Sequence, residues 1–147
     1  MGEPPDDFKQ LLELLIRRNV KFILVGGLAC ALNGYVRTTE DVDIIIEPSP
    51  DNVVRLLDAL KGWGEGYAGE LTVEDFSLEP GAIRIVENFP LDIFTLLGGH
   101  SYADFVGESA TSKDGIPYLK TPALIRLKSD SLRPKDQIDV SELRSLS

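Results

Sequence analysis

Three aspartates stand where a chain has little reason to place a charge. Asp41 and Asp43 flank Val42 at the head of an apolar stretch, and Asp92 interrupts the run Leu91-Asp92-Ile93-Phe94. In a strand, residues two apart project to the same side with Cα atoms roughly 7 Å apart, so Asp41 and Asp43 can share an ion. Unpaired carboxylates on a buried sheet face are costly unless a cation or hydrogen-bond donors compensate them. The pair alone is equally consistent with an exposed strand end, where acids are harmless. Asp92 tips the balance, because a frayed, solvent-facing end does not account for a charge inside an apolar run. Three strand-borne carboxylates offer the hard oxygen donors that Mg²⁺ (or Mn²⁺) takes together with phosphate oxygens and water. With two such ions, one activates an attacking hydroxyl while the other clamps a triphosphate and stabilises leaving pyrophosphate. Gly26-Gly27 adds a turn in which backbone can approach phosphate closely and a helix start can offer N–H groups, although such a turn is weak evidence by itself.

The elements that must position these residues are legible in the hydrophobic pattern. Phe22-Ile23-Leu24-Val25 is a continuous apolar run that ends at Gly26-Gly27, which predicts a strand buried on both faces and a sharp turn into a short helix over 28–32. Asn33-Gly34 stops that helix. Residues 42–46 form a second strand, and 51–61 an amphipathic helix with Val53, Val54, Leu56, Leu57 and Leu60 on its apolar side. Upstream, Asp6 or Asp7 can cap a helix whose apolar positions are Phe8, Leu11, Leu12, Leu15 and Ile16, ending near Asn19. Downstream, the glycine-rich stretch 62–69 reads as a loop in which Trp63 and Tyr67 pack locally. Ile83-Arg84-Ile85-Val86 and Leu91-Asp92-Ile93-Phe94-Thr95 read as a hairpin that extends the sheet. Thr121-Pro122 and Pro134 each begin a C-terminal helix. The expectation is a mixed α/β (α+β) sheet of about four or five strands, with helices mainly on one face and a C-terminal helical pair. Residues 6–147 should form a single domain, with 1–5 flexible and the helices of 121–147 packed on the core.

Composition narrows the classes further. The chain has 147 residues and a formal charge of −9, which argues against a general nucleic-acid binder but leaves room for a local basic patch. No apolar run approaches the ~18 residues of a membrane span, and Met1-Gly2-Glu3-Pro4-Pro5-Asp6-Asp7 does not resemble a secretory signal, so a soluble cytoplasmic protein is expected. Cys30, the single cysteine, sits among Leu28, Ala29, Ala31 and Leu32 and reads as a buried small hydrophobe. His100 lies in a glycine turn and receives no role.

Val25-Gly26-Gly27, thirteen intervening residues, and Asp41-Val42-Asp43-Ile44 together resemble the signature of the nucleotidyltransferase superfamily that includes polymerase β. The wider stretch, with Gly34 and Arg37-Thr38-Thr39, is similar to minimal bacterial nucleotidyltransferases and to toxin nucleotidyltransferases of the AbiEii type. Lys128, Arg133-Pro134-Lys135-Asp136 and Asp139 resemble a helical motif of the same group, so the likeness spans most of the chain. The resemblance implies that Asp41 and Asp43 bind metal and that Asp92 is the third carboxylate, positioning and deprotonating an acceptor hydroxyl. It implies further that Gly26 and Gly27 hold the triphosphate of ATP or another nucleoside triphosphate, that Arg37 and Thr38 lie beside the nucleotide, and that Lys128 approaches a phosphate. For Arg37 and Lys128 a solvated or ion-paired surface position is the competing reading, and Asp136 and Asp139 also suit the first turn of a helix. RNA, protein and small-molecule hydroxyls are all acceptors within the resemblance, and a homo-oligomer or an antitoxin-like partner is compatible with it; no membrane is implied.

Two rivals share these residues. A catalytically inactive nucleotide-binding or interaction module could have the same fold. An Asp-x-Asp phosphatase would place its hydrophobic strand before the first aspartate, whereas Arg37-Thr38-Thr39-Glu40 precedes Asp41 and the apolar strand follows it.

Overall fold

The computed structural model describes residues 4–35, 38–129 and 134–146, with nothing stated of the Lys135 side chain. Six helices and six strands are formed by these residues: α1 (Asp6–Arg17), β1 (Phe22–Val25), α2 (Gly26–Leu32), β2 (Val42–Ile46), α3 (Pro50–Leu60), β3 (Ala82–Val86), β4 (Pro90–Phe94), α4 (Tyr102–Phe105), β5 (Ser109–Thr111), β6 (Pro117–Leu119), α5 (Thr121–Ser129) and α6 (Pro134–Leu146). Short 3₁₀ turns occupy Tyr67–Glu70, Val73–Phe76 and Val106–Glu108. The strands make one mixed sheet in the order β3-β4-β2-β1-β6-β5. The α/β class stands, and the sheet is larger than the expected four or five strands because it includes β5 and β6.

The two innermost strands carry the greatest apolar burden. All four residues of β1 are buried, and β2 buries every residue but Asp43. These strands run antiparallel, β2 pairs parallel with β4, and β4 turns back into β3. A single cluster of buried side chains extends from Phe8 to Leu143. Cys30 lies inside it as expected, fully buried. Trp63 packs on Phe89 with ring centroids 5.4 Å apart, and Phe89 meets Phe8 at 4.5 Å. Tyr67, expected to pack in the same loop, is instead 59% exposed.

Helix ends show how local chemistry sets the frame. In α1 the cap position is Pro5, without a side-chain cap, so Asp6 and Asp7 lie in the first turn rather than before it. There they favour the positive end of the helix dipole. Helix α3 starts at Pro50 with the Ser49 hydroxyl accepting from the Asn52 N–H. Asn52 is fully buried and ties three elements together. Its Oδ1 accepts from the Lys21 N–H at 2.7 Å, while its Nδ2 donates to the carbonyls of Lys21 at 2.9 Å and Glu47 at 2.8 Å. Thus α3 is pinned to the start of β1 and the end of β2. At the C-terminus, α5 and α6 pack on each other as the expected helical pair. Among the described residues, no helix is long and apolar enough to cross a membrane.

Candidate metal and nucleotide site

Strand register decides which side chains can meet. Val25 pairs with Asp43 across β1 and β2, Asp43 with Asp92 across β2 and β4, and Arg84 with Asp92 across β3 and β4. Directly paired residues project to the same face of a sheet, so Arg84, Asp92 and Asp43 form one row across three strands. Asp41 joins them from just before β2. One carboxylate oxygen from each of Asp41, Asp43 and Asp92 lies within 4.8 Å of the others. Asp92 is buried and Asp43 half-buried.

Bringing three like charges together has an electrostatic consequence. Burial, then repulsion from Asp92 and from Asp41, pushes the Asp43 carboxyl up to about 7, with Lys128 pulling weakly the other way. Near neutrality a proton therefore offsets charge that a cation would offset better. The donor set consists of hard carboxylate oxygens on adjacent rigid strands, beside a cleft open to water and phosphate, and it fits Mg²⁺ or Mn²⁺.

Arg84 is the member of this cluster that reading the sequence missed. Its Nε donates to Asp92 Oδ1 at 2.8 Å and its Nη2 to Asp92 Oδ2 at 2.9 Å, a bidentate fork. The same Nη2 reaches Asp41 Oδ2 at 3.1 Å. The hydrogen bonds it donates to Asp92, and then the charge of Asp92, hold the guanidinium still more firmly protonated than usual. The signal was present in the expected hairpin: alternation places Arg84 opposite the apolar Ile83 and Ile85, on the side that Asp92 shares.

Gly26 closes the site from the β1 side. Its φ is +71°, and a Cβ there would fall 2.2 Å from Asp43 Oδ2, so only glycine allows the turn to pass this close to the acid. The helix α2 starts at Gly26 itself and has no side-chain cap, which leaves its first N–H groups free of a competing side-chain acceptor. A cleft of about 320 Å³ opens here, lined by Gly26, Gly27, the three aspartates and Arg84, with Leu124, Leu127 and Lys128 of α5 opposite. Lys128 is held by two carboxylates of α6, its Nζ 3.0 Å from Asp139 Oδ2 and 3.4 Å from Asp136 Oδ1. It is thus both a cleft-lining cation and an ion-paired one. Thr38 is exposed and does not line the cleft, while Arg37 and Arg133 lie outside the described residues. A second cavity of about 440 Å³ shares Leu127 but has no acid among the described residues that line it. His100 borders it, 3.6 Å from Asp104.

No family model and no curated protein matches the chain. Solved structures do. The lincosamide antibiotic adenylyltransferase LnuA, solved with lincomycin bound, superposes with a TM-score of 0.67 at 19% identity, covering 100% of both chains. ANT(2″)-Ia in complex with adenylyl-2″-tobramycin gives 0.58 at 13% identity, over 95% of this chain and 87% of its own. A Thermotoga maritima protein described as a nucleotidyltransferase gives 0.53 at 14% identity, over 94% and 88%. At identities this low the likeness shows a shared fold, and it is the fold expected from the sequence.

Proposed function

For a chain with the nucleotidyltransferase fold, we propose a metal-dependent enzyme that moves a nucleoside monophosphate from a triphosphate such as ATP to a hydroxyl, releasing pyrophosphate. The observation that carries this reading is the convergence of Asp41, Asp43 and Asp92 against the Gly26 turn. Asp41, Asp43 and Asp92 would hold Mg²⁺ or Mn²⁺, which when bound would supply charge neutralisation at the triphosphate and a lowered pKa at the attacking hydroxyl. Gly26 and Gly27 let backbone N–H groups face the phosphates, and Lys128 stands across the cleft from them. In this reading Arg37 stands on the nucleotide side by the sequence resemblance alone, and Thr38, exposed and outside the cleft, takes no part.

In the transfer, a bond forms between the acceptor oxygen and the α-phosphorus, and the bond from that phosphorus to the pyrophosphate oxygen breaks. The acceptor proton passes to Asp92 or to water. Arg84 occupies one acceptor site on each oxygen of Asp92, which leaves a second site on each.

A small-molecule hydroxyl is the acceptor class best supported. One structural neighbour holds lincomycin and another an adenylylated tobramycin, and the first matches this chain from end to end. The test is incubation with α-labelled nucleoside triphosphates, Mg²⁺ or Mn²⁺, and a panel of hydroxyl-bearing antibiotics, RNA and protein. Label on a small molecule with pyrophosphate release is the expected result, lost on chelation and in Asp43→Asn. Label on RNA or protein would move the acceptor to the class modified by toxin-type relatives and call for a search for an antitoxin-like partner. Triphosphate binding without pyrophosphate release across the whole panel would leave a binding module.

A further inference from the structure

Arg84 engages both oxygens of Asp92 and one of Asp41, so a guanidinium already sits among the carboxylates assigned to metal. We propose that Arg84 is a resident counter-cation of the metal site: it keeps the three aspartates assembled in the metal-free protein and gives up part of that position when a divalent ion binds. This rests on the reading of Asp41, Asp43 and Asp92 as ion ligands.

Three features of the structure support it. The contact is built into the sheet, since Arg84 is the direct register partner of Asp92. The arginine can nevertheless leave: β3 is an edge strand and the Arg84 side chain is 54% exposed, so the guanidinium can turn into water without being stripped of solvation. The Asp92 side chain, by contrast, is only 10% exposed and cannot move out to meet solvent. Two cations also cannot share the cluster at full strength. Each carboxylate oxygen retains a second lone pair, but a divalent ion placed among these oxygens would lie against a guanidinium bonded to the same atoms. Displacement of one Arg84 contact relieves that repulsion and frees a further acceptor site on Asp92. Arg84 is accordingly a positioning residue, acting through Asp92 and Asp41.

The experiment compares full-length wild type with Arg84→Met, Arg84→Gln and Arg84→Lys. Mn²⁺ affinity is measured by calorimetry, and thermal unfolding is followed with and without Mn²⁺. Removal of the competing charge should tighten Mn²⁺ binding roughly tenfold in Arg84→Met and Arg84→Gln, lower the metal-free melting temperature, and enlarge the rise that Mn²⁺ produces. Arg84→Lys keeps the charge without the fork and should bind Mn²⁺ close to wild type. Adding Asp43→Asn to Arg84→Gln should restore the metal-free melting temperature by removing one of the crowded charges. Weaker or unchanged Mn²⁺ binding in both neutral variants would overturn the proposal while leaving the metal site standing; it would make Arg84 a scaffold for the aspartates. Absence of Mn²⁺ and Mg²⁺ binding in every variant, wild type included, would overturn the metal reading and this proposal with it. Arg84→Gln carries the test alone if the methionine variant does not fold.

Discussion

Two clusters in this molecule set cations against carboxylates, and they do so in opposite ways. In the sheet, Arg84 faces Asp41 and Asp92 from an edge strand, with its side chain 54% exposed. Between the C-terminal helices, Lys128 faces Asp136 and Asp139 with only 13% of its side chain exposed and 1% of the Asp139 side chain. A cation that is half in water can be exchanged for another at modest cost, whereas a buried one is a clamp whose removal strands its partners. The first arrangement suits a site that must accept an ion. The second holds α6 onto α5 and keeps the far wall of the cleft in place.

The contrast can be broken in several ways. Asp43→Asn carries the largest expected effect: nucleotidyl transfer falls on the order of 10³-fold, read as pyrophosphate release, because the ions lose a ligand. The same substitution should raise the metal-free melting temperature, since it removes the most strongly perturbed carboxylate; a loss in both measurements would show that Asp43 stabilises the fold instead. Next, Lys128→Met should cost about 3–5 kcal/mol in denaturant unfolding, and metal-free Arg84→Met clearly less. Equal losses would erase the distinction between clamp and exchangeable cation. Gly26→Ala should destabilise by about 1–3 kcal/mol through its left-handed φ, and more sharply weaken Mn²⁺ binding as the new methyl displaces Asp43.

The smallest effect is the pH response, and its sign is diagnostic. The folded-state pKa of Asp43 is raised from 3.8 to about 7, so across that interval the folded protein holds a proton that the unfolded chain has lost. Stability contributed by this group therefore declines as pH rises from about 4 to about 7 in the absence of metal. Saturating Mn²⁺ should flatten or reverse the slope in melting temperature. A metal-free slope of the opposite sign would show that the acid cluster is better compensated than its geometry indicates.

The apolar pattern carried most of this structure. The strands β1 to β4 and the helices α1, α2, α3, α5 and α6 follow from runs and periodicities long enough to read, and so do the three aspartates, because a charge inside an apolar strand is conspicuous. The strands β5 and β6 were not legible: each has three residues, β6 starts with a proline, and neither is long enough to show alternation. Their one local signal is the turn at Asp114-Gly115, where Gly115 takes a φ of +85°. Arg84 was hidden for a different reason. Its type and face could be read, but its partner is set by the register between β3 and β4, and only pairing across strands turns a surface arginine into part of the site. Lys128 shows the reverse: both readings of it, phosphate-facing and ion-paired, meet in one side chain that lines the cleft while bonded to α6.

Strand β3 has a neighbour on one side only, and its position in the sheet has a bearing on how such a site can change over time. Asp43 and Asp92 are flanked along β2 and β4 by the buried Val42, Ile44, Leu91 and Ile93, where any exchange of side chain disturbs the packing around it. Position 84 is almost decoupled from that packing. Its side chain can be shortened or neutralised without repacking the interior, so an ion affinity of the cluster would be adjustable from the margin of the sheet while Asp41, Asp43 and Asp92 stay unchanged.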